Sequence, residues 1–409
     1  MIRGDSSAYW RWRLLAESRT GRRIWSIERA QQLARRRVPV PVESYVEGGA
    51  GHERSLSANL AAIQAVQFLP RLGVTDSLPP DLTTTVLGTE ISMPLLLGPV
   101  GFTRMMHPAG DLAGVGAAGA AGTIFALSSM SGHSMEEVRD AATSATWFQL
   151  YFLGGREGAE QLVARARDGG FQAIVVTMDT QVPGDRRREA RFDLSPPLKL
   201  NGKTILKMLP FVAVRPWWLL DHAIDRFQLE LVQANGLTHE GATMTAQDAL
   251  LQWIAAPPSW EDIAWIHQQF GGPVIVKGVL TADDARRAIA AGASAVIVSN
   301  HGGRQLDGVP PTFAVLADVV RAVGEDAEIL VDGGIRSGAD VVKAVALGAK
   351  AAMIGRAWAY GLCAAGQPGV ERVLSLLRED IDRTMRLLGI ASVDNIDGSI
   401  VIPPSEWSN

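Results

Sequence analysis

A histidine and an arginine stand three residues apart in Ser299-Asn-His-Gly-Gly-Arg-Gln305, directly behind an apolar run that starts at Ala295. An imidazole moves protons near neutral pH, and a guanidinium fork clamps a carboxylate. The two glycines between them let the backbone turn sharply and come close to a ligand. At the mouth of a buried strand, the pair suits general-base chemistry on a small acid. The alternative is a strand-end histidine that only closes a turn. Other run ends argue against that alternative, because polar groups recur there: Ser128, Gln149, Tyr151, Thr177, Asp179, Lys277, His301 and Asp332.

Among these, Asp179 can orient and pair with the imidazole, or it can cap a following helix. Arg304 and Arg186 offer two cationic forks, which together suit an anionic substrate such as a small carboxylate. Taken alone, Arg186 in Arg186-Arg-Arg-Glu189 reads as a solvated charge. Tyr45, in Tyr45-Val-Glu-Gly-Gly-Ala-Gly51, and Tyr151 add neutral hydroxyls. Asp332-Gly-Gly-Ile-Arg336 and Gly355-Arg356 follow the last two apolar runs. Glycine turns with arginines at that pair of strands read as a phosphate site, built from backbone N–H groups and a helix N-terminus. No Cys/His cluster or acidic cage calls for a metal. No Gly-x-Gly-x-x-Gly follows the first run, which argues against a Rossmann dinucleotide site. A cofactor here would carry a phosphate and sit in a barrel. Lys277 near its ring would stabilise negative charge, as a reduced flavin requires.

The elements that position these groups are eight short apolar runs, beginning at Leu95, Thr123, Trp147, Ala173, Pro273, Ala295, Ile329 and Ala351. They lack polar alternation, as parallel strands buried on both faces do. Helix-length segments separate most of them. The pattern predicts an α/β fold, a (β/α)8 TIM barrel with its chemistry at the C-terminal strand ends. We expect an N-terminal arm and helices over residues 1–90, the barrel over 91–390 and a C-terminal tail over 391–409. The rhythm breaks once, after strand 4, with a long insertion over 190–260. Its segment Ile205 to Leu220, with Trp217 and Trp218, is a lid, a membrane-interface segment, or a helix pair packed on the barrel's flank.

Residues 1–40 carry ten arginines against three acids, interleaved with Trp10, Trp12 and Trp25. They form either an arm that touches anionic lipid or a partner subunit, or a solvated extension with one amphipathic helix over Ile27–Arg37. The second is the reading favoured by the sequence. The 409 residues are 47% hydrophobic, ample for a core. A net charge of −4 provides no basic field for nucleic acid. The single cysteine, Cys363, excludes an internal disulfide and fits a reducing compartment. No secretory signal is visible, and no stretch reaches the roughly 18 apolar residues of a spanning helix. A cytoplasmic protein is expected, with peripheral contact at the inner face of a membrane as a further reading.

Ser299-Asn-His-Gly-Gly-Arg-Gln305 resembles the signature of the FMN-dependent L-2-hydroxy acid oxidases and dehydrogenases, which include glycolate oxidase, L-lactate dehydrogenase and mandelate dehydrogenase. The resemblance runs from about Tyr45 to Gly389. It implies FMN as cofactor, His301 as base and Asp179 as its partner. It puts the substrate carboxylate on Arg304 and Arg186, helped by Tyr45, with Tyr151 beside the substrate hydroxyl. Ser128, Gln149, Thr177, Lys277 and Ser299 then surround the isoalloxazine, with Pro99, Val100 and Gly101 against it. Asp332, Gly333, Gly334, Arg336, Gly355 and Arg356 match the ribityl and phosphate contacts. The reaction implied is oxidation of an L-2-hydroxy acid, L-lactate first among them, to the 2-oxo acid. Hydrogen leaves as a proton or a hydride; the same His301 serves both. Val100-Gly101 replaces the Thr-Ala of glycolate oxidase, and Met130 stands where that enzyme has tryptophan. No fused haem domain is expected, since His52 is the only histidine before the barrel. Val100-Gly101, closer to the membrane-associated lactate dehydrogenases, and the long insertion with Trp217-Trp218, similar to the membrane-docking segment of quinone-linked members, favour transfer of electrons to quinone over O2. By resemblance the assembly is a homotetramer.

Overall fold

A computed structural model describes residues 6–73, 79–192, 209–239 and 242–407. Eight parallel strands close into a barrel: β1 (Leu95–Leu97), β2 (Phe125–Ser128), β3 (Thr146–Leu150), β4 (Ala173–Thr177), β5 (Val274–Val279), β6 (Ala295–Val298), β7 (Glu328–Val331) and β8 (Ala351–Ile354). They neighbour one another in chain order, and β8 pairs with β1 to complete the ring. Each corresponds to one of the eight apolar runs, shortened where the run had included its loop.

Side chains alternate across the strands, yet both faces are apolar. Leu96, Ala126, Trp147, Val175, Ile275, Ile297, Leu330 and Met353 form one buried cluster, the barrel interior. Their neighbours Leu95, Leu127, Phe148, Val176 and Val298 pack into a second cluster with the surrounding helices. That is why the strands read as continuous hydrophobic runs. A hairpin, Thr84–Val86 paired with Thr89–Ile91, adds Val86 and Ile91 to the interior cluster. The active face is left to the opposite end.

The N-terminal arm departs from the solvated extension expected of it. It holds helix α1 (Ser6–Gly21) as well as α2 (Ile27–Arg37), α3 (Val40–Glu47) and α4 (Arg54–Ala65). α2 has the expected bounds, with Ser26 accepting from Arg29 N at its start and three arginines in its last turn. Its apolar residues Ile27, Ala30 and Ala34 are buried. α1 is fixed by charge. Arg13, 3% exposed, bonds both oxygens of Asp221 at 2.8 and 3.1 Å, and it pairs with Glu17 at 3.2 Å. Glu17 in turn meets His107 Nε2 at 2.9 Å. Asp221 lies on α5 (Pro216–Ile224), so arm and insertion are stapled together by a buried ion-pair network.

Ile205 to Met208 lie outside the described residues. In the rest of the insertion, Trp218 is buried and donates to Met105 O at 3.0 Å, whereas Trp217 is 51% exposed. Packing on the flank describes α5. Farther on, α6 (Ala246–Ala255) docks beside the barrel mouth, where Gly154 N donates to Ala249 O at 2.9 Å. No helix among the described residues is long and apolar enough to cross a membrane.

Candidate active site

At the C-terminal end of the barrel a cavity of about 1260 Å³, counted to its open mouth, gathers nearly all of the residues singled out in the sequence. Tyr45, Pro99, Val100, Gly101, Ser128, Gln149, Tyr151, Thr177, Arg186, Lys277, His301, Arg304, Asp332, Gly333, Gly334, Arg336, Gly355 and Arg356 all line it. Asp179 and Ser299 stand one layer behind, bonded to His301 and Lys277.

His301 follows β6 with φ +57°, and Gly302 and Gly303 continue at +63° and +74°. Three successive left-handed residues are unusual, and histidine tolerates that region better than bulky or β-branched residues do. The turn is braced from beneath. Asn300 and Asn59 of α4 exchange two hydrogen bonds of 2.8 Å, and Gly303 N donates to Asn300 Oδ1 at 3.1 Å. A Cβ on Gly303 would sit 2.6 Å from Leu56 N, so only glycine fits against α4.

His301 Nδ1 meets Asp179 Oδ1 at 3.0 Å, which leaves Nε2 3.5 Å from the Tyr151 hydroxyl. Asp179 owes its position to a β5 irregularity: the register shifts between Lys277 and Val279, and a Cβ on Gly278 would lie 2.7 Å from Asp179 Cβ. Burial pushes the His301 pKa below the usual histidine value, against the upward pull of Asp179. Burial works against the Asp179 carboxylate, yet His301 and Lys277 hold its pKa below the ordinary range. The resting pair is therefore a neutral imidazole beside a carboxylate, a base ready to take a proton.

Arg304 is committed on one side. Its Nη1 donates to the carbonyls of Tyr45 and Gly48 at 2.7 and 2.8 Å, and Nη2 reaches Glu189 Oε1 at 2.8 Å. Arg186, expected on its own to be a solvated charge, instead lines the cavity. It bonds Arg304 O and Gln305 Oε1, with Nη1 3.7 Å from Glu189 Oε2. Glu189, 1% exposed, is thus the shared counter-ion of both forks. The sequence offered a signal for it, an acid closing a run of three arginines in a loop between strands, but that acid read as part of the same solvated stretch.

Lys277 Nζ reaches Ser299 Oγ at 2.7 Å and Asp332 Oδ2 at 3.1 Å. Burial opposes its charge, but Asp332 and Asp179 raise its pKa above the lysine value, so it stays cationic. Ser128, Gln149 and Thr177 form a chain across three strands: Ser128 Oγ donates to Gln149 Oε1 at 3.2 Å, and Gln149 Nε2 to Thr177 Oγ1 at 3.1 Å.

FMN fits this cavity. Asp332 Oδ1 is buried without a partner among the described residues, an acceptor suited to a ribityl hydroxyl. Gly333 and Gly334 hold φ +96° and +101°, a backbone cradle that side chains would strain. The helix N-terminus expected to bind phosphate proves to be specific. In α7 (Gly338–Ala346) the first amides are already taken, by Asp340, Asp380 and Ser337. In α8 (Arg356–Leu388, kinked at Ala365 and Gly366) the Gly355 N-cap makes no side-chain cap, and a Cβ there would touch only Val100, at 3.8 Å. The α8 terminus is where an anion gains most. Arg336, stacked 5.4 Å from the Tyr360 ring centre, stands near it. Arg356 mostly braces backbone, donating to Val46, Gly302 and Gly48 carbonyls, and burial lowers its pKa to about 10.

The model of the FMN-dependent dehydrogenase family matches residues 34–403. A pre-mycofactocin synthase from Mycobacterium tuberculosis is 43% identical over 382 residues, spanning 92% of this chain and 94% of that protein. An L-lactate dehydrogenase from Caulobacter sp. is 38% identical, spanning 91% and 96%. Among solved structures, the monotopic membrane protein (S)-mandelate dehydrogenase superposes with a TM-score of 0.83 at 36% identity, spanning 93% of this chain and 99% of that one. An eight-stranded parallel barrel, a cavity that accepts FMN and a match over nearly the whole length converge: the chain belongs to the family of FMN-dependent dehydrogenases, oxidoreductases of 2-hydroxy acids.

Proposed function

We propose that the protein oxidises an L-2-hydroxy acid to the 2-oxo acid, with His301 as base, Asp179 as its partner and an external acceptor, quinone rather than O2. One observation carries this reading: the His301 Nδ1–Asp179 Oδ1 contact of 3.0 Å. It favours the tautomer with Nδ1 protonated, which leaves the Nε2 lone pair beside Tyr151. The substrate carboxylate goes to Arg304 and Arg186, whose remaining guanidinium hydrogens are directed by Glu189 and by the carbonyls of Tyr45 and Gly48. Tyr151 donates to the substrate hydroxyl oxygen. His301 Nε2 takes one proton, from C2 or from the hydroxyl, and Asp179 stabilises the imidazolium formed. FMN, when bound, would supply the acceptor for the two electrons and the second proton. Lys277 contributes positive charge where the flavin gains negative charge.

Quinone as acceptor, and peripheral contact with a membrane, are supported by a surface away from the cavity. Trp12 of α1 and Trp217 of α5 are half exposed with ring centres 5.6 Å apart, and Leu15 and Leu220 are exposed one turn beyond each. Tryptophans in such a patch suit a lipid interface, and the mandelate dehydrogenase neighbour is described as monotopic.

The test is anaerobic. The yellow holoprotein is mixed with L-lactate, glycolate and (S)-mandelate, and the flavin absorbance is followed; after bleaching, air or a soluble quinone is admitted. Bleaching, followed by recolouring that is slow in air and fast with quinone, is expected. Absence of bleaching with every hydroxy acid overturns the reading, and fast recolouring in air overturns the choice of acceptor.

A further inference from the structure

Among the described residues, the insertion sends into the cavity a side chain that no strand rhythm announces. Trp253 of α6 is 5% exposed, lines the cavity, and lies 4.6 Å from the Tyr151 ring centre at an interplanar angle of 30°. Its indole Nε1 is buried and has no hydrogen-bond partner among the described residues. A buried indole N–H usually finds an acceptor, and one left unmade is destabilising. Met130, Met106, Val100 and Pro183 also line the cavity. Methionine and other apolar walls around a tilted aromatic pair favour a flat, polarisable guest. Gly101 adds depth, since a Cβ there would lie 2.8 Å from Met130 Cβ and 3.3 Å from the Tyr45 hydroxyl.

We propose that Trp253 builds a subsite for the substituent on C2, and that this substituent is a planar ring carrying a hydrogen-bond acceptor, bonded by the indole N–H. The assignment rests on the 2-hydroxy acid reading above and deepens it. The carboxylate on Arg304 and the hydroxyl at His301 and Tyr151 fix C2, and Tyr151 is the residue that the indole overlies. A substituent on C2 can therefore reach Trp253, whereas the methyl group of lactate leaves both the ring wall and the N–H without a partner. A site built to bond a substrate acceptor discriminates strongly against the analogue that lacks it.

Pyridyl analogues of mandelate test this, because the ring nitrogen adds an acceptor without adding bulk. Rapid anaerobic flavin reduction is measured with L-lactate, with (S)-mandelate and with the 2-, 3- and 4-pyridyl hydroxyacetates. Wild type and Trp253→Phe are compared, the phenylalanine keeping a stacking face while removing the donor. Wild type is expected to use mandelate at least tenfold better than lactate in kcat/KM. The best pyridyl isomer should exceed mandelate by a further factor of about ten, and that factor should collapse towards one in the variant. Ring electronics act equally in both proteins, so the ratio of ratios isolates the N–H. Unreactive phenylacetate and pyridylacetates, titrated against the flavin spectrum, report the same difference as dissociation constants and keep the test open even where no turnover occurs. A pyridyl-to-phenyl ratio unchanged by Trp253→Phe, or a preference for lactate, overturns the subsite. Loss of flavin reduction with every hydroxy acid, while the binding ratios still respond to the variant, overturns the chemistry and leaves the subsite standing.

Discussion

Replacing Asp179 by asparagine keeps the size of the group behind His301 and removes its charge. The Nδ1–Oδ1 distance of 3.0 Å makes this a charge-assisted hydrogen bond, worth about 1.5–3 kcal/mol beyond what water provides. The imidazolium formed during the reaction also loses its neighbouring charge. Two unit charges 3 Å apart interact by no more than about 5 kcal/mol at an effective dielectric of 20, and asparagine's dipole recovers part of that. A net loss of about 2–4 kcal/mol converts to about 30- to 700-fold slower flavin reduction at 1.4 kcal/mol per decade. The pH profile moves too. Asp179 raises the His301 pKa against the lowering by burial, so the variant's pKa falls further. A base works only when neutral, so flavin reduction rises with pH through that pKa, and the rising limb shifts to lower pH in Asp179→Asn. Anaerobic stopped-flow measurement from pH 5 to 8 reads both effects. A variant within threefold of wild type, with an unmoved limb, would refute Asp179 as the partner of the base.

Glu189→Gln removes the counter-ion of two arginines while keeping their carbonyl partners; we expect kcat/KM for a hydroxy acid to change at least tenfold, chiefly through KM, read in steady state with quinone. Lys277→Met leaves Asp332 beside the flavin without its cation, so the flavin midpoint potential should fall and FMN retention weaken, measured by reductive titration and ultrafiltration. Gly303→Ala forces a side chain at φ +74° to within 2.6 Å of Leu56 N; a loss of about 2–4 kcal/mol in stability and displaced Arg304 contacts are expected, seen as a lower Tm and a raised KM. Arg13→Ala leaves Asp221 with Arg37 and Tyr9 as its partners and should cost about 1.5–3 kcal/mol by thermal unfolding of the holoprotein, with flavin reduction in the native fraction little changed.

The barrel was legible because its strands are buried on both faces: eight runs such as Ala295–Val298 carry no polar alternation, and their polar ends share one face. His301, Asp179 and Lys277 were legible for the same reason, each falling at or just beyond a strand end. What escaped is what depends on approach in space. Glu189 sits among arginines that look solvated until the loop folds back over Arg304. Trp253 lies in the insertion, where no strand rhythm fixes its direction, and only the docking of α6 at Gly154 aims it inward. Asn59 is one polar residue of a surface helix until Asn300 comes to meet it. The arm looked solvated because arginine is usually exposed, while Arg13 is buried because Asp221, 208 residues away, and Glu17 face it.

If His301 is the base, flavin reduction must stall without its imidazole. His301→Asn is the variant to make, since asparagine accepts the left-handed backbone at φ +57°. Single-turnover flavin reduction is followed anaerobically with saturating hydroxy acid, after confirming that the variant keeps its FMN spectrum. Flavin binding should stay intact and reduction should slow by about 10⁴-fold, the upper end of what general-base catalysis contributes. Reduction within a few fold of wild type would contradict His301 as the base.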